Sequence, residues 1–136
     1  MAKYWIEYSD TYTASPLSSW VHRPIDNKVW DQASQFVPEL PKKILDKGYP
    51  IYKIVHKGYE LHFSSKEEID HCISILSKKI LPTTQELASK SWMKGYQHLH
   101  WLSKWPGKIK SFKDRETIVK LLKKGQTDLY IANSCA

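Results

Sequence analysis

At 136 residues with a net charge of +7, the chain has the length of one typical domain and a basic character. Its 41% hydrophobic and 12% aromatic residues supply enough apolar surface for one packed core, which excludes a disordered chain. No apolar run reaches bilayer length, none follows Met1 in the manner of a signal peptide, and Cys72 and Cys135 stand in neither disulfide-framework nor metal spacing. The expectation is one cytoplasmic domain over residues 1–136, off the membrane, with Cys72 packed in its core.

Lys3 to Tyr8 reads as a strand, with Tyr4, Ile6 and Tyr8 alternating along it. Ser9 to Arg23 carries no readable period. Asp26 is placed to cap a helical segment bearing Val29, Trp30, Ala33, Phe36 and Val37, broken by Pro38 and Pro41. A short helix is predicted from Lys42 to Lys47.

The clearest element is a hairpin. Ile51 to His56 and Tyr59 to Phe63 flank Lys57-Gly58, a two-residue turn in which glycine supplies a positive φ. That turn sets His56 opposite Tyr59, Ile54 opposite Leu61 and Tyr52 opposite Phe63, all on one apolar face. Lys53, Val55, Glu60 and His62 fall on the other face. A hairpin alone is marginal, so the first strand is expected to join it and helices to cover it.

Ser64-Ser65-Lys66-Glu67-Glu68 starts a helix, with both Ser-x-x-Glu frames open to form a capping box. Ile69, Cys72, Ile73, Leu76 and Ile80 form its apolar stripe, and Pro82 ends it. Thr83-Thr84-Gln85-Glu86 starts the next helix, with a stripe of Ala88, Trp92, Gly95, Leu99 and Leu102 and a stop at Pro106-Gly107. Ser111 to Lys124 is the last helix, and Gly125 suits its C-terminal cap. The predicted class is α+β: a small antiparallel sheet, made of the N-terminal strand and the hairpin over 51–63, packed by helices and followed by a helical C-terminal half.

The charge is uneven. Residues 101–124 hold eight basic residues (Lys104, Lys108, Lys110, Lys113, Arg115, Lys120, Lys123, Lys124) against Asp114 and Glu116, which is +6 of the +7. At helical steps Lys113, Lys120 and Lys124 form a basic stripe opposite Ile118, Val119, Leu121 and Leu122, with Lys108 and Lys110 just upstream. Such lysines contact phosphates without reading sequence; equally, a charge run can be a solvated helix face. Glu116 stands four residues before Lys120 and partly neutralises it. Arg115 falls within the apolar face. There its donors either find a carboxylate, a carbonyl or an anionic ligand, or it packs its stem and snorkels outward at the helix end.

Trp101 and Trp105 either widen the core or give an aromatic surface beside the lysines, an arrangement that suits single-stranded nucleic acid. His98 and His100 are two apart and share no helix face, so no metal site is expected. Glu68 and His71 share adjoining turns, a weak sign of acid–base chemistry. No phosphate loop, nucleophile elbow or zinc-protease helix is present, and no catalytic residue or cofactor is assigned.

The runs Gly58 to Cys72 (GYELHFSSKEEIDHC) and His100 to Phe112 (HWLSKWPGKIKSF) resemble segments of small uncharacterised bacterial proteins of the accessory or mobile-DNA type. The resemblance implies a bacterial, intracellular origin and no mechanism. The leading expectation is a non-enzymatic binding or adaptor protein whose basic–aromatic C-terminal surface meets nucleic acid or an acidic protein. The alternatives are a homo-oligomeric protein, paired through its first strand or its tryptophans, and a small-molecule binder with an aromatic pocket.

Overall fold

The computed structural model describes residues 3–26, 28, 30–78, 80 and 101–134. The hairpin forms in the expected register. Strand β4 (Tyr49–His56) pairs antiparallel with β5 (Tyr59–Phe63), with Tyr52 opposite Phe63, Ile54 opposite Leu61 and His56 opposite Tyr59. Lys57 and Gly58 both take positive φ, 50° and 77°, which is the primed turn that matches strand twist. Strand β1 (Lys3–Ser9) joins the other side of β4, with Ile6 opposite Tyr52, so the order is β1-β4-β5.

One face of this sheet is the core. Tyr52, Ile54, Leu61 and Phe63 are buried there, and full burial of a side chain of that size contributes about 1.5–3 kcal/mol. On the other face Lys53 reaches Glu7 at 3.0 Å and Glu60 at 3.9 Å, tying all three strands near water.

Three α-helices are seen among the described residues: α1 (Ser18–Val21), α2 (Lys66–Leu76) and α3 (Phe112–Ser134). The class is therefore α+β. Helices α2 and α3 pack on each other and on the core face, around Ile69, Cys72, Leu76, Ile118, Leu122 and Leu129. Burial pushes the Cys72 thiol pKa well up, so Cys72 is an inert core residue. Of the two serine frames, Ser65 wins: its oxygen accepts the Glu68 N–H at 3.2 Å. Ser111 caps α3 in the same way, with Asp114 N–H to its oxygen at 3.2 Å and its hydroxyl donating to Asp114 at 2.5 Å. His56 (2.9 Å) and Lys57 (3.0 Å) also meet Asp114. Together Ser111, His56 and Lys57 hold that carboxyl far below the usual range and fasten the hairpin turn to the start of α3.

Four expectations are corrected. Among the described residues from Asp26 to Val37 there is no α-helix. Trp30–Gln32 is a single 3-10 turn, and Phe36–Val37 (β3) pairs with Arg23–Pro24 (β2), with the Trp30 ring packed on Phe36, 5.2 Å between centroids. Residues 42–47 form no helix; Ile44 bridges to Gly48 in a turn that feeds β4. Helix α2 ends at Leu76, and Ile80 is exposed rather than part of its stripe. The predicted helix from Thr83, with Ala88, Trp92, Gly95 and Leu99, lies outside the described residues, whereas Leu102 is buried in a 3-10 turn, Trp101–Lys104.

The fourth correction concerns Gly125, which caps nothing: α3 runs on to Ser134. The Tyr52 ring lies where a side chain at 125 would stand, and a Cβ there would collide with ring carbons. The Tyr52 hydroxyl donates to the Leu121 carbonyl at 2.6 Å, one turn earlier, so ring and helix are locked together. In an exposed helix interior, glycine to alanine stabilises by about 1 kcal/mol. Here overpacking reverses the sign, and Gly125→Ala is expected to destabilise by about 1–3 kcal/mol in urea unfolding.

Candidate functional site

The exposed face of α3 is basic because its apolar stripe fixes the helix rotation. With Ile118, Leu122, Gly125 and Leu129 turned inward, Lys113, Lys120, Lys123 and Lys124 must face water. From Lys113 to Lys124 the helix rises about 16 Å, so the amines follow a line long enough for several phosphates. Lys104 and Lys108 are exposed in the two 3-10 turns (Trp101–Lys104 and Gly107–Ile109) that precede α3, and Lys110, just after the second, is half-buried.

Pairing distinguishes these lysines. Lys53, Lys57 and Lys66 each reach a carboxylate. Among the described residues no ion pair holds Lys104, Lys108, Lys110, Lys113, Lys120, Lys123 or Lys124. The expected Glu116–Lys120 pair is not within ion-pair distance. Lys124 instead lies over the Tyr4 ring, 5.3 Å from its centroid, which joins the basic face to the outer strand of the sheet.

Arg115 is not part of this face. It is buried, and its guanidinium donates to backbone carbonyls: Nη1 to Leu76 at 3.2 Å and Lys78 at 2.5 Å, Nε to Lys110 at 3.0 Å. The last carbonyls of a helix have no partners of their own, and Arg115 serves those at the end of α2. Assigning it to an anionic partner is corrected on that ground.

Trp101 and Trp105 are likewise corrected, at 1% and 5% exposure. Their rings pack on each other, 5.3 Å between centroids, inside the main core. Trp101 Nε1–H donates to His71 Nε2 at 3.2 Å, which requires that nitrogen unprotonated; burial lowers the His71 pKa, against the opposing pull of Glu68. The aromatic that does reach the basic face is Phe112, 45% exposed, with the Arg115 guanidinium 5.3 Å from its ring centroid. A groove of about 220 Å³ opens there, lined by Leu76, Ser77, Phe112, Glu116, Val119, Lys120 and Lys123. Phe112 follows the capping Ser111 immediately, so it precedes the buried stripe, and that position was the available signal.

A second polar constellation is internal. Glu68 is fully buried and its carboxylate is saturated: Oε1 accepts from Ser15 Oγ and from Ser64 N–H (3.2 Å), Oε2 from Ser18 Oγ (2.9 Å) and Ser65 Oγ (3.2 Å). Tyr12 donates to Ser18 Oγ at 3.0 Å. His22, also fully buried, stands 3.6 Å from Glu68 Oε2. Its Nδ1 must donate to the Pro38 carbonyl (2.7 Å), since that oxygen can only accept. Its Nε2 meets Ser65 Oγ at 2.8 Å. The Ser65 hydroxyl either donates to Nε2 or accepts from it, so this contact is kept whether the ring is neutral or protonated. Burial alone would lower the His22 pKa, but Glu68, the Pro38 carbonyl and Glu67 outweigh it, and the net shift is upward.

Serine beside histidine suggests nucleophilic catalysis, but the order is wrong. Nδ1 goes to a carbonyl, the carboxylate sits on the serine, and Ser65 is 3% exposed. This arrangement joins α1, α2 and the β2–β3 region. Glu68 and His71, on adjoining turns, go to different partners: Glu68 to the serines and His22, His71 to Trp101.

Other cavities lie at the β2–β3 region, about 320 Å³, and at the 43–48 turn, about 520 Å³. The aromatic one, beside β5 with Tyr59, Trp101 and Trp105, measures about 150 Å³. Among the described residues no three His, Cys, Asp or Glu side chains gather as a metal site would need, and no helix is long and apolar enough to cross a membrane. His98 and His100 lie outside those residues. No protein-family model matches the chain, and no curated protein and no solved structure matches it.

Proposed function

We propose that this chain is a non-enzymatic binding protein whose α3 lysine face, continued by Lys104, Lys108 and Lys110, holds nucleic acid through its phosphates. The observation that supports this is the pairing pattern: the C-terminal lysines share one exposed helix face and have no carboxylate partners among the described residues. Unpaired ammonium groups on a rigid helix release counterions when phosphates replace them, and they lose no salt bridge in doing so. A bacterial cytoplasm, where nucleic acid is at hand, fits this reading.

The test is oligonucleotide binding across a salt series. Log affinity is expected to fall linearly with log salt. The triple variant Lys113→Gln, Lys120→Gln, Lys124→Gln should flatten the slope by about 2 for a single strand or about 3 for a duplex, without moving the melting temperature. A triple variant with unchanged slope excludes this face. Salt-dependent binding to an acidic protein and none to oligonucleotides would make the partner a protein.

A second reading, self-association, rests on one observation: β1 is an edge strand among the described residues and exposes Tyr4 and Tyr8 at 40% and 41%. The route through Trp101 and Trp105 is closed by their burial. A chain that stays monomeric in light scattering at high concentration removes the strand route as well.

A further inference from the structure

The geometry points to single-stranded rather than duplex nucleic acid as the partner, with an unstacked base entering the groove between the end of α2 and α3 and lying against Phe112. This rests on the proposed lysine–phosphate contact and adds a base site to it. The groove floor is apolar, formed by Leu76 and Val119, at 1% and 9% exposure. Phe112 stands in the wall with nearly half its surface open, and the Arg115 guanidinium, itself fixed by carbonyls, lies over the ring. A flat group sliding into this groove therefore meets an aromatic ring that is held in place.

The charges are sorted in the same sense. Lys120 and Lys123 line the groove and also belong to the lysine face, so a strand whose phosphates lie along α3 passes its mouth. Glu116 lines it too. A carboxylate repels a phosphate and accepts hydrogen bonds from base amino groups, so the groove itself suits a base and the lysines beside it suit the backbone. Duplex hides the faces of its bases and can use only the lysines. A single strand uses both, which is the usual combination in sequence-tolerant single-strand binding.

The experiment compares a mixed-sequence single-stranded DNA with its duplex, for the wild type, Phe112→Ala and Phe112→Trp, at several salt concentrations. Single strand should bind more tightly than duplex. Phe112→Ala should weaken single-strand binding roughly tenfold, leave duplex binding and the salt slope unchanged, and melt as a folded protein; Phe112→Trp should restore the affinity. Salt-dependent binding that ignores Phe112→Ala, or loses equally on duplex, overturns the base site and leaves the lysine–phosphate reading standing. Absence of salt-dependent binding to either nucleic acid overturns both. An acidic peptide that binds with the same Phe112 dependence, where single strand does not, overturns the choice of partner.

Discussion

Glu68→Ala is expected to destabilise the protein by about 3–5 kcal/mol, the usual cost of removing one partner from a buried charge pair. For a chain of this size that lowers the melting temperature by roughly 10–20 °C. Four donors now converge on the carboxylate: the hydroxyls of Ser15, Ser18 and Ser65 and the N–H of Ser64. With alanine in place these buried donors lose their common acceptor, with only the longer Ser18–Ser15 contact and the Ser65–His22 contact left to take two of them, and His22 loses the carboxylate 3.6 Å away. Glu68→Gln keeps the volume and an acceptor oxygen, so it should lose less. A loss below about 1 kcal/mol for the alanine variant would mean that the cluster is not the closed network the distances describe.

The same cluster gives stability a pH dependence with a definite sign. The folded His22 pKa lies above the unfolded value, so its contribution is fully present below about 6.5 and is lost as pH rises through the folded pKa. Glu68→Gln should abolish that alkaline loss. His71 acts oppositely: its folded pKa is depressed, so its contribution is present above about 6.5 and is lost as pH falls. Glu68 opposes that depression, so Glu68→Gln should also steepen the loss on the acid side. Urea unfolding of both proteins from mildly acidic to mildly alkaline pH checks the two signs together.

Local chemistry made part of this fold legible. The hairpin could be read because a two-residue turn and a period of two fix each other, and one slip would turn Ile54 and Phe63 to water. The starts of α2 and α3 could be read because Ser65 and Ser111 need only neighbours three residues on. Segments with too few residues to show a period failed: Phe36 and Val37 have helical spacing from Trp30, yet two residues suffice for the strand they form with Arg23–Pro24. Gly125 looked like a stop because its reason for being glycine, the Tyr52 ring, lies on a distant strand.

The candidate site divides in the same way. The lysine stripe is a property of one helix and was visible in the spacing. Which aromatic shares its surface depends on how the 101–109 segment folds inward, so the spacing left Trp101 and Trp105 open between core and surface, and of the aromatics over residues 101–112 it is Phe112 that is exposed. Glu68 was read as a capping residue, which it is. Its second role needs His22 and Ser15, far off in the chain, and no local pattern brings them together.

Arg115 carries the second large effect. Arg115→Met keeps an apolar stem in the core and removes the donors to the Leu76, Lys78 and Lys110 carbonyls, at an expected cost of about 2–4 kcal/mol. Arg115→Lys should not rescue it, because one ammonium cannot reach in the three directions that the planar fork covers. The readout that separates this role from anion binding is affinity. Measured well below its melting temperature, Arg115→Met should bind oligonucleotides with the wild-type salt slope, since its charge never faced the phosphates. Unchanged stability with a flatter slope would move Arg115 back among the anion ligands. Lost stability with an intact slope would leave the lysines of α3 as the binding face and Arg115 as the residue that completes the end of α2 behind it.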